Sequence, residues 1–410
     1  MARMGLLAGL SVNILLNRDL SMYKIRTYNA ISSKGLDGFA KEKYHIGSDI
    51  ADPQGFILRS HKLHDETVPE HLVAVARAGA GVNNIPVADY TDKGIVVFNT
   101  PGANANAVKE LIVAGLLLAS RDIYGGMNYV QQLDHMDNAS EMGKLLEKEK
   151  KRFAGSEIAG KTLGVVGLGA IGSIIANLGL ELGMDVIGYD PAISVEAAWQ
   201  LSSRVERMDN LEALLAKADF VTLHVPAIPA TKHLINSQTL GLMKSSAKVL
   251  NFAREEIVST EDMLAALDNG TIAGYISDFP TPGLLGRKDV LLMPHIGAST
   301  AEAEENCAVM AANQLMDFIE NGNIRNSVNF PPTKMGRNGG SRLTFANSNV
   351  PKVLGNVLSI LADYEMNVID MVNKSRNEVA YNIIDVEGDL TEKIIEQIYE
   401  VEGVLRVRVI

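Results

Sequence analysis

Short apolar runs alternate with stretches of helical period along most of this chain. A first strand is expected from Met22 (Met22-Tyr23-Lys24-Ile25). Gly55-Phe56-Ile57-Leu58 and Gly94-Ile95-Val96-Val97-Phe98 follow, apolar throughout, as strands buried on both faces are. Residues 104–121 predict a long apolar helix with Asn104 as its cap, and the polar residues 131–151 a solvated one. The alternation resumes at Leu163-Gly164-Val165-Val166. It continues through Met184-Asp185-Val186-Ile187-Gly188-Tyr189, Phe220-Val221-Thr222-Leu223-His224, Ala247-Lys248-Val249-Leu250-Asn251, Ile272-Ala273-Gly274-Tyr275-Ile276 and Val290-Leu291-Leu292-Met293, before a helix over residues 302–321. This alternation predicts an α/β protein with doubly wound parallel sheets, helices on both faces. Residues 329–341, with Pro331, Pro332, Gly336, Gly339 and Gly340, read as a linker. Beyond it, residues 342–410 run strand, helix, strand, strand, helix, strand, the ferredoxin-like βαββαβ order.

One turn carries chemistry. Gly167-Leu168-Gly169-Ala170-Ile171-Gly172 joins a strand to a helix, and Asp190 ends the next strand eighteen positions past Gly172. That is close to the roughly 20 separating a dinucleotide glycine fingerprint from its ribose-binding acid. Gly167 permits the tight turn, Gly169 lets backbone approach a pyrophosphate, and Gly172 lets helix pack on strand. The pyrophosphate then meets the unpaired N–H groups and the dipole of the helix N-terminus. Asp190 can accept from ribose hydroxyls and would repel a 2′-phosphate. Pro191-Ala192-Ile193 follows it with no arginine, so NAD is expected rather than NADP.

Size and charge narrow the class. At 410 residues two or three domains are expected, and 47% hydrophobic with 21% charged residues describes a globular protein. The net charge of −11 argues against a nucleic-acid surface, so an anionic substrate needs locally placed Arg or Lys. The single Cys307 excludes an intramolecular disulfide framework and fits a reducing cytosol. Gly5 to Leu16 is mostly apolar behind Arg3, but Ser11 and Asn13 interrupt it and it is too short to span a bilayer. Residues 1–21 are therefore expected to be an extension or loose tail, with a targeting role the alternative. No metal site and no membrane association are expected.

Two further residues stand at strand ends. Arg254 follows Val249-Leu250-Asn251, where a planar fork can hold a carboxylate; a surface pair with Glu255 or Glu256 is the alternative. His295 follows a strand and a proline and opens a glycine-containing turn. Its imidazole could move a hydroxyl proton, or it could be structural. His224, also at a strand end, reads as structural.

Several stretches together resemble the D-isomer-specific 2-hydroxyacid dehydrogenase family, in its branch acting on D-3-phosphoglycerate with a C-terminal ACT domain. They are Arg77-Ala78-Gly79-Ala80-Gly81-Val82-Asn83-Asn84, Asn99-Thr100-Pro101-Gly102, the glycine fingerprint, His224-Val225-Pro226, Asn251-Phe252-Ala253-Arg254 and Pro294-His295-Ile296-Gly297. The resemblance covers residues 22–410. It implies a split substrate lobe (22–122 and 302–328), an NAD-binding Rossmann domain (123–301), the linker 329–341 and an ACT domain (342–410). It also implies NAD-dependent oxidation of D-3-phosphoglycerate to 3-phosphohydroxypyruvate, the first step of L-serine synthesis, in a homodimer or homotetramer. By the same resemblance Arg254 and His295 are catalytic, with Asp278 the third candidate in the absence of the usual Glu. Gly167, Gly169, Ala170, Ile171, Gly172, Asp190, Pro226, Phe252, Ala253, Arg254, Asp278, His295, Gly297 and Ala298 line the cofactor. Arg59, Ser60, Arg77 and Gly79, with Arg254 and His295, hold substrate. Asn347, Asn349 and Asn367 match amino-acid-binding positions of serine-sensitive relatives, which makes L-serine an expected effector; a turn cap before Pro351 is the alternative for these asparagines.

The chain departs from the family at one place. Relatives have a Glu about five positions beyond the residue matching Asp278, partnering the catalytic His. Here Ser277-Asp278-Phe279-Pro280-Thr281-Pro282-Gly283 has none. Asp278 could serve both purposes, a distant carboxylate could fill in, or His295 could work with weaker support. Another D-2-hydroxyacid dehydrogenase, acting on glycerate, lactate or 2-hydroxyglutarate, and a weakly catalytic NAD-sensing protein remain the alternatives.

Overall fold

In the computed structural model, which describes residues 14–16 and 22–410, the chain divides into two compact units. One combines the chain up to Asn104 with Ala301–Ile410, and the other is Ala105–Thr300.

In the second unit seven parallel strands lie in the order Val290–Leu292, Gly274–Ser277, Lys248–Asn251, Phe220–Leu223, Thr162–Val166, Asp185–Tyr189, Glu206–Arg207. The first of these in sequence, Thr162–Val166, is internal, and chain order runs outward from it in both directions. The switch point therefore falls between Thr162–Val166 and Phe220–Leu223, at whose carboxyl ends a doubly wound sheet binds its ligand. The helix Ala105–Ser120, expected in the substrate lobe, belongs here. Its Gly115 packs so closely on Phe252 and Ile276 that an added Cβ would lie 3.0 and 3.3 Å from their carbons. An apolar helical stripe does not state which sheet it will cover. Asn104 does not make the expected cap, since its Oδ1 has no hydrogen-bond partner among the described residues.

In the first unit five parallel strands lie in the order Tyr44–Gly47, Tyr23–Thr27, Gly55–Leu58, Ala74–Arg77, Val96–Phe98. Its switch point lies between Tyr23–Thr27 and Gly55–Leu58. The 21-residue helix Ala301–Asn321 returns to this sheet, with Leu315 against Gly55, and its Ala308 packs on Gly35 of the short helix Ser33–Leu36.

The carboxyl-terminal strands Ser341–Ser348, Val368–Arg376, Val379–Val386 and Val404–Val409 form an antiparallel sheet with the crossed order of the βαββαβ pattern. Helices Val353–Asp363 and Glu392–Tyr399 cover one face over Leu343, Phe345, Ile384 and Val407. The other face packs on the helix Ala301–Asn321, joining Ala346, Tyr381 and Ile383 to Phe318 and Phe330 in one core. This part is therefore one compact unit with the first lobe rather than a separate body. Of the expected linker, residues 329–335 are largely packed against the unit, whereas 336–340 are exposed. The Asn329 carboxamide accepts from Val97 N and donates to Ile95 O, both at 2.9 Å, and Phe330 and Thr333 are buried. The loose-tail expectation also changes in part. Ile14–Leu16 is a strand pairing in parallel with Val404–Val409, covering its otherwise open edge; the rest of 1–21, Ser21 and below, lies outside the described residues. Among the described residues no helix is long and apolar enough to cross a membrane.

Candidate functional site

The cofactor-side residues gather at the carboxyl edge of the second unit's sheet. Gly167 has φ +89°, a conformation glycine reaches without strain, and a Cβ there would lie 2.7 Å from His224 O. At Gly172, the first residue of the helix Gly172–Glu181, a Cβ would sit 1.9 Å from Gly167 O, so helix, loop and strand meet there only because both are glycines. Gly169 differs. A Cβ on it would meet nothing within 4 Å, so packing within the protein does not explain the missing side chain. A ligand approaching the exposed backbone of Gly169 and Ala170 at this helix N-terminus does, and the loop fits a dinucleotide pyrophosphate on that ground. Asp190 closes the loop from the neighbouring strand. Its Oδ2 accepts from Leu168 N and its Oδ1 from Ala192 N, each at 2.8 Å, leaving lone pairs on both oxygens for ribose hydroxyls.

His224 hydrogen-bonds Thr222 Oγ1 at 3.0 Å, and loss of solvent around its ring pushes its pKa down to about 3. It is a neutral structural imidazole under the loop. Pro226 follows it in an exposed turn.

Asn251 shapes the next strand end. Its Nδ2 donates to Arg254 O at 2.8 Å while its Oδ1 accepts from Ala253 N at 3.2 Å, curling residues 251–254 into a loop. Phe252 turns inward against Gly115 and belongs to the core, so only its backbone faces the edge. Arg254 is half-buried, with one Nη1 contact to Ala253 O at 2.6 Å, and the surface pair with Glu255 or Glu256 is not formed.

His295 lies on the loop after Val290–Leu292 with φ +58°, unusual for a residue with a Cβ. Asp278 holds it there. This carboxylate is 1% exposed; Ile296 N donates to its Oδ1 at 2.8 Å and Gly297 N to its Oδ2 at 2.7 Å. Both oxygens thus grip the backbone following His295 and neither contacts the imidazole. Asp278 is therefore placed to hold the backbone after His295 rather than its ring, and the Gly297 amide is already taken. The His295 ring instead packs against Phe279, centroids 5.0 Å apart. Among the described residues of its unit no side chain hydrogen-bonds it, so nothing there replaces the absent Glu. Ala298 follows in the same turn, half-buried.

In the first unit Arg59 and Arg77 stand at the carboxyl ends of adjacent strands, with Leu58 opposite Arg77 in register. Arg77 Nε donates to Arg59 O at 3.0 Å, and Gly79 leaves room for the Arg77 guanidinium. Asn29, which the sequence reading missed, organises this loop. Its Oδ1 accepts the amides of Arg59, Ser60 and His61 at 3.4, 3.1 and 2.9 Å, from across the switch point. Its φ of +65° was the only local signal, and a sequence shows that at best as Asn in a turn.

The three asparagines of the carboxyl-terminal sheet are not together. Asn349, donating to Asn377 O at 3.0 Å, lies by the Ser348/Val379 end, whereas Asn367 precedes Val368, which pairs with Val386 at the opposite end. Asn347 drops out. It is 4% exposed, and its carboxamide is spent on Ser348 O and Asn382 Nδ2, both at 2.7 Å.

Comparison with known proteins agrees with this geometry. Residues 124–297 match the model of the D-isomer specific 2-hydroxyacid dehydrogenase NAD binding domain. A Schizosaccharomyces pombe protein provisionally named a D-3-phosphoglycerate dehydrogenase is 32% identical over 339 residues, 76% of this chain and 68% of that one. The chain belongs to the D-isomer-specific 2-hydroxyacid dehydrogenase family. The D-3-phosphoglycerate dehydrogenase of Synechocystis sp. is 33% identical over 80% of this chain and 60% of its own, and the human one 34% identical over 70% and 52%. The chain thus spans little more than half the length of these relatives. The NAD-complexed family member from Lactobacillus delbrueckii ssp. bulgaricus superposes with a TM-score of 0.60 at 25% identity, over 75% of this chain and 100% of that one. The fingerprint, Asp190, Arg254, Asp278 and His295 all fall inside the matched NAD-binding domain.

Proposed function

We propose that this family member is an NAD-dependent dehydrogenase interconverting D-3-phosphoglycerate and 3-phosphohydroxypyruvate, the first step of L-serine formation. The observation that carries the substrate choice is the pair Arg59 and Arg77 on adjacent strand ends, a cation pair suited to a phosphate dianion. When bound, NAD supplies the hydride acceptor. The guanidinium of Arg254 holds the substrate carboxylate and polarises the developing carbonyl. His295 takes the hydroxyl proton at a ring nitrogen, and Asp278 keeps its loop in place. Asp190 binds the ribose hydroxyls and repels a 2′-phosphate. Reaction with D-3-phosphoglycerate should therefore proceed with NAD and not NADP; preference for NADP, or for the L enantiomer, would count against this reading.

A second reading, an NAD-sensing protein with little turnover, is favoured by one observation: the unsupported His295 imidazole. Absence of turnover with any 2-oxo acid despite tight NADH binding would establish it.

The partner is a second copy of the chain. Tyr124, Met127 and Val130 project from the helix Ile123–Gln131, which buries nothing in the chain itself. At the other end of the molecule's sequence, Val368–Arg376 is an edge strand. Pairing two such edges about a two-fold axis brings Asn367 of one copy towards Asn349 of the other, and L-serine would bind between them. Sedimentation should give at least a dimer, with L-serine raising its thermal midpoint; a monomer indifferent to serine contradicts both.

A further inference from the structure

One contact at the arginine pair is not explained by substrate binding. The Arg59 guanidinium already has an anion: Nη1 lies 2.5 Å from Glu304 Oε1, with the two side chains 38% and 45% exposed. Glu304 is in the first turn of the helix Ala301–Asn321, where the dipole favours a carboxylate. The backbone of Arg59 has no such choice. Asn29 fixes the amides of residues 59–61, and Arg59 O accepts from Arg77 Nε at 3.0 Å and Asn84 Nδ2 at 3.3 Å. Only the guanidinium can change partner.

We propose that Glu304 is a built-in competitor for Arg59 and sets how strongly this chain discriminates a phosphorylated 2-oxo acid from its unphosphorylated counterpart. This rests on the phosphate-binding role given to Arg59 above. A phosphate dianion reaching Arg59 must displace the Glu304 carboxylate, and the displaced carboxylate stays nearby as a like charge. Both effects weaken binding of the phosphate end alone. The carboxylate and carbonyl of the substrate, held by Arg254 and His295, are untouched, so the reacting atoms keep their geometry. The pair is solvent-exposed, so the handicap is modest: exposed ion pairs of this kind change equilibria by up to about five-fold.

The test is Glu304→Gln, which keeps the shape and removes the charge. With saturating NADH, KM for phosphohydroxypyruvate should fall about two- to five-fold with kcat unchanged, while KM for hydroxypyruvate stays where it was. In an Arg59→Gln background the gain should vanish. A KM for phosphohydroxypyruvate that is unchanged or higher, or that moves in step with hydroxypyruvate, overturns the proposal, because loss of a merely structural ion pair would disturb both substrates alike. Failure of the functional reading looks different: the unaltered protein would not turn over phosphohydroxypyruvate at all. Inorganic phosphate then decides the proposal alone. Stronger thermal stabilisation of Glu304→Gln than of the unaltered protein by phosphate sustains it, and equal or weaker stabilisation ends it.

Discussion

Replacing His295 with asparagine should lower kcat for phosphohydroxypyruvate reduction by about 10²–10⁴-fold, the usual contribution of a positioned proton-transfer group, with NADH affinity unchanged. The imidazole makes no hydrogen bond that holds the NAD-binding unit together; its one described contact is with the Phe279 ring. Losing it therefore removes chemistry rather than structure. A companion variant, Asp278→Asn, separates placing the histidine from being it. The carboxylate accepts two backbone N–H groups, and an asparagine turns one acceptor into a donor facing a donor. The His295 loop then shifts, and misplacement of a catalytic group by about 1 Å costs on the order of 10²-fold. NADH fluorescence titration beside steady-state assays checks both variants. If His295→Asn retains more than a tenth of the activity, His295 is not the proton-transfer group.

The largest loss of stability is expected from Asp385→Asn. Arg342 and Asp385 are 0% and 1% exposed, joined by Nε–Oδ1 at 2.6 Å and Nη2–Oδ2 at 2.7 Å. The same guanidinium donates to Asn321 O, Met335 O and Gly336 O, tying the carboxyl-terminal sheet to the end of the helix Ala301–Asn321. Removing one charge leaves a buried guanidinium uncompensated, at a cost of about 3–5 kcal/mol. Replacing both residues with apolar ones (Arg342→Met with Asp385→Leu) removes that buried charge but orphans the three carbonyls, so it should recover only part of the loss. Denaturant titration of these two variants beside the unaltered protein measures the difference. A loss under about 1 kcal/mol for Asp385→Asn would mean that water reaches the pair.

These buried arginines show where sequence reading stops. Strands, helices and the glycine fingerprint are local patterns, so the parallel sheets and the nucleotide loop were legible. Arg342, Arg406 and Arg408 alternate with apolar residues, a local pattern that does not distinguish a buried face from a solvated one. In the fold that face covers two helix ends: Arg408 donates to Phe318 O and Ile319 O of Ala301–Asn321, and Arg406 to Lys93 O, which follows the helix Val87–Asp92. Residues 329–335 misled for a related reason. Proline and glycine mark irregular backbone, but asparagine and serine side chains satisfied that backbone and let it be buried. Arg59 was legible as a candidate, yet Asn29 and Glu304, which decide its backbone and its charge, come from far along the chain. No local rule pairs residues 59 and 304.

Steady-state kcat/KM with NADH, compared among phosphohydroxypyruvate, hydroxypyruvate, pyruvate and 2-oxoglutarate, tests the central claim most directly. Phosphohydroxypyruvate should be preferred over every unphosphorylated acid, and Arg59→Gln should erase that preference. Rapid turnover of an unphosphorylated 2-oxo acid with none of phosphohydroxypyruvate would contradict it.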